Sequence, residues 1–186
     1  MTQPHALPND LKALTALRFV AAAWILVYHF GRHLGFDLHA SSGFVAAGAL
    51  GVDLFFVLSG FILSHVYLRE VETGSYSHAR FIWARLARVY PMHLATLAGM
   101  IALVVAASAL GQDFENRDAF KWSDLPAHLL MVHAWGVTDG VGWNFPSWSI
   151  SAEWAAYLLF PVFAAVALKL KDRPFIALAL AGAGGA

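Results

Sequence analysis

The chain of 186 residues is 59% hydrophobic and only 13% charged, with 12 Lys and Arg against 12 Asp and Glu and a formal net charge of +0. Soluble domains are about 45–50% apolar and ~25% charged, so this composition, with a mean hydropathy of +0.61, predicts an all-α, polytopic membrane protein. The balanced charge gives no reason to expect a nucleic-acid partner, and the lack of cysteine excludes disulfides, thiolate metal sites and cysteine nucleophiles within this stretch.

Residues 1–12 form a polar lead with Pro4, Pro8 and Asp10, without the pattern of a cleavable signal peptide. A first span is expected over 13–30. It carries Arg18 and His29, eleven positions apart, which at ~100° per residue puts both on one helix face, about 16 Å apart along the axis. Ionisable groups at the centre of a spanning helix cost at least ~2.5–3.5 kcal/mol each, so two on one stripe predict a polar track covered by protein. A loop follows over 31–43, then a second span over 44–68 interrupted by Gly48, Gly51, Asp53 and Ser59-Gly60, small residues that let helices approach closely.

Residues 69–88 read as a loop and an amphipathic approach in which Phe81, Trp83 and Leu86 interleave with arginines. A third span is expected over 89–110, with Pro91 in its first turn, where the missing N–H is tolerated. The stretch 111–124 is polar and acidic. Residues 125–135 are apolar but too few to cross, and so are expected to be interfacial or re-entrant. A Gly-rich turn region over 136–147 leads to a fourth span over 148–168. From Pro174 the remaining residues are too few for the ~20 of a spanning helix. The chain is therefore expected to be the N-terminal part of a larger bundle, ending inside a truncated span. Basic loops at 69–88 and 169–173 read as cytoplasmic, which puts the N-terminus inside and suits a multi-pass protein of the cell inner membrane.

Four sets of residues stand out for chemistry. His29 titrates near neutrality and can act as a general base; the plainer alternative is a hydrogen-bonding histidine at a helix end. Asp53 needs a partner if buried, and a cation on the first span, Arg18 or protonated His29, could supply it, whether for chemistry or for helix packing alone. Arg85 and Arg88 are one turn apart and suit bidentate phosphate contacts, although cytoplasmic arginines also simply hold topology. Ser149 and Glu153 are helical neighbours. Glu153 is placed to orient an imidazole as the acid of a triad does, against a capping role for Ser147 or Ser149. His65, His78, His93, His128 and His133 share no metal-ligand spacing, so no metal site is expected.

These pieces together resemble the acyltransferase type 3 family, the membrane-bound acyl-CoA:carbohydrate O-acyltransferases, from Leu14 to about Pro161. The resemblance rests on Arg18 and His29 in the first helix, on the run Gly51-Val52-Asp53-Leu54-Phe55-Phe56-Val57-Leu58-Ser59-Gly60-Phe61, on Arg85-Leu86-Ala87-Arg88-Val89-Tyr90-Pro91, and on Pro146-Ser147-Trp148-Ser149-Ile150-Ser151-Ala152-Glu153. It implies an O-acyltransferase that takes an acyl group, acetyl in the first instance, from cytoplasmic acyl-CoA to a hydroxyl of an extracytoplasmic or exported glycan, with acyl-CoA as donor substrate and no bound cofactor. His29, Glu153 and Arg18 would be catalytic, with Arg85, Arg88, Asp53 and Ser149 binding substrate. The alternative from another class is an ion-coupled membrane transporter using the same intramembrane charges.

Overall fold

A computed structural model describes residues 12–31, 42–112, 117–140 and 142–183. The polar lead up to residue 11, most of the expected 31–43 loop, and Asp113 and Glu115 of the acidic stretch lie outside the described residues. Among the described residues every regular element is helical: α1 (Lys12–Phe30), α2 (Gly43–Ala46), α3 (Leu50–Glu72), α4 (His78–Ala109), α5 (Leu125–Leu129), α6 (Trp148–Leu158), α7 (Phe160–Leu170) and α8 (Pro174–Ala183), linked in places by short 3-10 turns. The chain divides into two compact units, Met1–Val66 and Tyr67–Ala186, with the boundary inside α3.

In the first unit, α1 packs on the corner formed by α2, the turn Ala47–Ala49 and the start of α3. Two glycines permit this. A Cβ on Gly48 would lie 2.5 Å from the Tyr28 Cβ, and one on Gly51 would lie 2.7 Å from Ile25 Cγ1 and 3.1 Å from the Ala21 carbonyl oxygen. Of the small residues that interrupt the second span, Gly48 and Gly51 therefore form the surface on which the first span rests, whereas a Cβ on Gly60 would meet nothing within 4 Å. Trp24 fastens the same corner: its ring stacks on Phe44 at 4.7 Å and its Nε1 donates to the Phe44 carbonyl at 2.7 Å.

In the second unit the loop expected over 69–88 contracts to residues 73–77. Helix α3 runs on to Glu72, the Thr73 hydroxyl donates to the Arg69 carbonyl, and Gly74 turns the chain at φ 71°. Ser77 then caps α4, its hydroxyl oxygen accepting from Arg80 N at 3.4 Å. The arginine- and aromatic-bearing segment expected as an interfacial approach is thus the first three turns of α4. Pro91 consequently sits inside a helix of 32 residues, and not in a first turn; its ring nitrogen leaves the Ala87 carbonyl without the usual donor, yet α4 continues through it. An aromatic cluster closes this end of the unit. Phe81, 1% exposed, stacks on Phe160 at 4.8 Å and meets Tyr67 edge-on at 4.9 Å. Ion pairs Arg80–Glu70 (3.0 Å) and Lys171–Glu72 (2.9 Å) flank it.

Residues 125–135 form no spanning helix. Helix α5 is five residues long, Met131 takes φ 55°, and a wound turn His133–Val137 contains Gly136 at φ 77°. This segment folds back onto the middle of α4: Tyr90 OH donates to the Leu129 carbonyl (3.0 Å), His93 Nε2 to the His128 carbonyl (2.8 Å), and Asn144 Nδ2 to Thr96 Oγ1 (2.9 Å). At 1.5 Å per residue His93 is about 24 Å along the axis from the end of α4. Irregular backbone at such depth must be satisfied by protein. Ser151 does much of this, donating to the Met131 carbonyl (2.8 Å) and accepting from Ala134 N (3.1 Å), while Trp135 Nε1 donates to the Ser151 carbonyl (2.9 Å). The fully buried Trp143 donates to the Lys121 carbonyl at 2.7 Å.

The fourth span is broken. α6 and α7 meet at Leu159 with a bend of 61°, because Pro161 cannot donate to the Tyr157 carbonyl and its ring crowds that oxygen. By length and composition, three helices among the described residues can cross a membrane, Lys12–Phe30, Gly43–Glu72 and His78–Ala109, and the bent pair makes up to four. The protein is a polytopic transmembrane helical bundle, as its composition predicts.

Candidate functional site

The sequence-predicted residues fall into two sets, one in each unit. In the first, α1 carries Arg18 and His29 near its opposite ends. His29 is exposed, in the last turn, with Nδ1 2.9 Å from the Ile25 carbonyl and its ring edge-on to Tyr28 at 5.2 Å. A carbonyl only accepts, so Nδ1 carries the proton of the neutral ring and Nε2 presents a free lone pair. That is the tautomer a general base requires. Arg18 is half-buried and lies over the Phe55 ring of α3, 5.4 Å from its centroid, a cation–π contact that holds the guanidinium without discharging it. Asp53 is exposed in the first turn of α3, where a carboxylate suits the helix dipole. The ion pair with Arg18 or His29 allowed by the sequence is not formed among the described residues.

The second set lies on α4 and α6. Arg85 is half-buried, over the rings of Tyr67 (5.8 Å) and Phe81 (5.9 Å), and its Nε finds no hydrogen-bond partner. Arg88, one turn on, is exposed. Glu153 is half-buried on α6, one turn before Tyr157, whose ring meets Phe81 of α4 edge-on at 5.9 Å. Arg85 and Tyr157 thus meet the same Phe81 ring, which joins α4 to α6. Ser149 donates to the Pro146 carbonyl at 3.1 Å, a local turn bond. Ser147 occupies the N-cap position of α6 but makes no capping bond with its side chain.

A third grouping was not legible in the spacing. His93, His128 and His133, all buried, form a stack: His128 and His133 are 4.1 Å apart at 13°, and His93 and His133 are 6.0 Å apart at 3°. Residues five apart share no helix face, and the stack exists because the chain between them is not a helix: it turns at Met131, whose φ is positive. The positive φ at a methionine leaves no mark in the sequence. Ser147 Oγ donates to the Asn144 carbonyl (2.6 Å), so at its 3.0 Å contact with His133 the imidazole Nε2 is the donor. That polarity is opposite to an activated serine nucleophile. Both ring nitrogens of His128, with Nδ1 of His93 and of His133, find no partner among the described residues. Burial, reinforced by His133 and then His93, pushes His128 down to about 4, and burial together with His93 lowers His133. Both rings are neutral around pH 7. The parallel rings do not converge their lone pairs, and no metal-binding cluster is found among the described residues.

The acyltransferase domain family matches residues 11–184. The chain belongs to the acyltransferase type 3 family. Among curated relatives of this acyltransferase domain, it is 32% identical over 171 residues to acyltransferase MdmB of Streptomyces mycarofaciens, covering 88% of this chain and 41% of the relative. It is 30% identical over 156 residues to protein 2 in the picA locus of Rhizobium radiobacter, covering 84% and 75%. It is 25% identical over 173 residues to putative O-acetyltransferase SACOL0978 of Staphylococcus aureus (strain COL), covering 88% and 26%. The chain therefore spans less than half the length of the first of these relatives. No solved structure matches it.

Proposed function

We propose that the protein acts in the transfer of an acyl group, acetyl in the first instance, from acyl-CoA to a hydroxyl of an extracytoplasmic or exported glycan. In this reading the N-terminus is cytoplasmic and the bilayer is the inner membrane. The observation that carries it is the state of His29: an exposed imidazole in a membrane helix, pinned through Nδ1 and free at Nε2, in a chain of an acyltransferase family. His29 Nε2 takes the proton of the acceptor hydroxyl as its oxygen attacks the thioester carbonyl. The new C–O bond forms, the C–S bond breaks, and the CoA thiolate leaves, taking up the proton that His29 returns. Arg18, held on Phe55, keeps a positive charge for the acyl end of the donor. Arg85 and Arg88 contact donor phosphates, Arg88 being the exposed one of the two, and Glu153 balances their charge. Asp53 and Ser149 are lesser contacts.

The test is transfer of labelled acetyl from acetyl-CoA to glycan by membranes carrying the complete reading frame. His29→Ala is expected to lower the rate at least about a hundredfold while leaving the amount of inserted protein unchanged. Retention of activity by the His29→Ala protein would overturn the assignment.

A further inference from the structure

The surroundings of Arg85 deepen that reading and rest on it. Arg85 lies one helical turn after Phe81 on α4, and its guanidinium leans back over the Phe81 ring, 5.9 Å from the centroid. From α3 the Tyr67 ring meets the same guanidinium at 5.8 Å. The two rings stand at 90° to each other, 4.9 Å apart, and form two sides of one corner. Phe81 is 1% exposed and stacked on Phe160 at 4.8 Å, which fixes its plane. Both contacts fall within the roughly 6 Å over which a ring attracts a cation. A ring face draws in the charge but offers no strong acceptor, and among the described residues no carboxylate pairs with Arg85. Its Nε is buried with no hydrogen-bond partner, so part of the cost of stripping water from this cation is already met by the fold. Arg88, one turn on, is exposed, and no ring holds it among the described residues.

We infer that Tyr67 is a positioning residue: with Phe81 it brackets the Arg85 guanidinium and holds it, unpaired and partly dehydrated, as the ordered half of the arginine pair that takes the phosphates of the acyl-CoA donor. Arg88 is the hydrated half and is ordered only when the anion arrives. A long side chain loses rotamer freedom when an anion fixes it, and a guanidinium already fixed by two rings has less to lose. Tyr67 acts through the face of its ring, so phenylalanine keeps the effect and an aliphatic side chain does not. A tyrosine kept only for packing would act on donor binding equally whether or not position 85 carries a charge.

The experiment measures the Kd of coenzyme A for the complete, detergent-solubilised protein. Tyr67→Leu is expected to weaken binding about fivefold, the worth of one partly desolvated cation–π contact, and Tyr67→Phe to restore most of that loss. Arg85→Gln is expected to weaken binding about tenfold or more, as loss of a charged hydrogen-bond donor does. On the Arg85→Gln background, Tyr67→Leu is expected to weaken binding no further, since no cation is left to position. Unchanged binding by Tyr67→Leu, a Tyr67→Phe protein as weak as Tyr67→Leu, or the same fivefold loss on both backgrounds overturns the inference. If Tyr67→Leu does not fold, the two arginines still decide. Arg85→Gln is expected to weaken binding more than Arg88→Gln does, and equal losses or the reverse order overturn the bracket. Failure of the wild type to bind coenzyme A at all would instead sink the acyl-CoA reading beneath it.

Discussion

The two units hold themselves together by opposite means. The first, Met1–Val66, is fastened by what is missing: Gly48 and Gly51 lack side chains, and α1 rests in the space they leave. The second, Tyr67–Ala186, is fastened by what is buried: three histidines, Ser147 and Ser151, with indole donors and backbone carbonyls closing an irregular segment against α4. Small-residue contacts are tolerant where the neighbour is a side chain that can shift, as Ile25 is beside Gly51, and less so where it is a Cβ or a backbone atom, as beside Gly48. Buried polar contacts are not, because an unmatched group in an apolar setting costs about 1–3 kcal/mol.

The contrast is broken most directly at the glycines. Gly142 is a close approach of the second unit: a Cβ there would run into the Ala119 carbonyl oxygen, which is backbone and cannot rotate aside. Gly142→Ala is expected to cost more than about 3 kcal/mol, seen as loss of folded protein in detergent extracts; near-normal yield and Tm would show that the 117–144 segment is looser than its contacts imply. Gly51→Ala meets chiefly the movable Ile25 side chain at 2.7 Å, and is expected to cost about 1–2 kcal/mol, read as a Tm shift of several degrees. If Gly51→Ala proves the worse of the two, the tolerance assigned to the first unit is wrong.

The smallest effect is graded by pH. His128 and His133 have lowered pKa values in the folded protein, so their unfolded forms take up protons first as pH falls below the ordinary value near 6.5. Stability from the stack is fully present above that value and is lost as pH falls toward about 4, at up to about 1.4 kcal/mol per pH unit for each proton. Thermal unfolding between pH 7 and pH 5 should show the decline, and His128→Leu should flatten it. A wild-type Tm that is level across this range would rule out neutral, stacked imidazoles.

The same contrast explains what the sequence made readable. Helical spans show themselves through long apolar runs, so the first three spans and the closeness implied by Gly48 and Gly51 were legible, and so was the failure of 125–135 to cross. The loop over 69–88 was overread because charges among aromatics suggest an interface, whereas the Ser77 cap and an unbroken helix former run carry α4 through them. The break at Leu159 had its signal in Pro161, set in the middle of the fourth apolar run. Arg85, Arg88 and Glu153 stood out by residue type as candidates. The histidine stack was the least legible of all, because it depends on a backbone turn that no residue type announces.

The hydrogen bond from His29 to the Ile25 carbonyl has one more consequence. An imidazole usually offers two doors for a proton, and a relay can let it in by one nitrogen and out by the other. Here one door is shut by the helix itself. A proton taken up at Nε2 has the same nitrogen as its exit, because the Nδ1 side is turned to the Ile25 carbonyl.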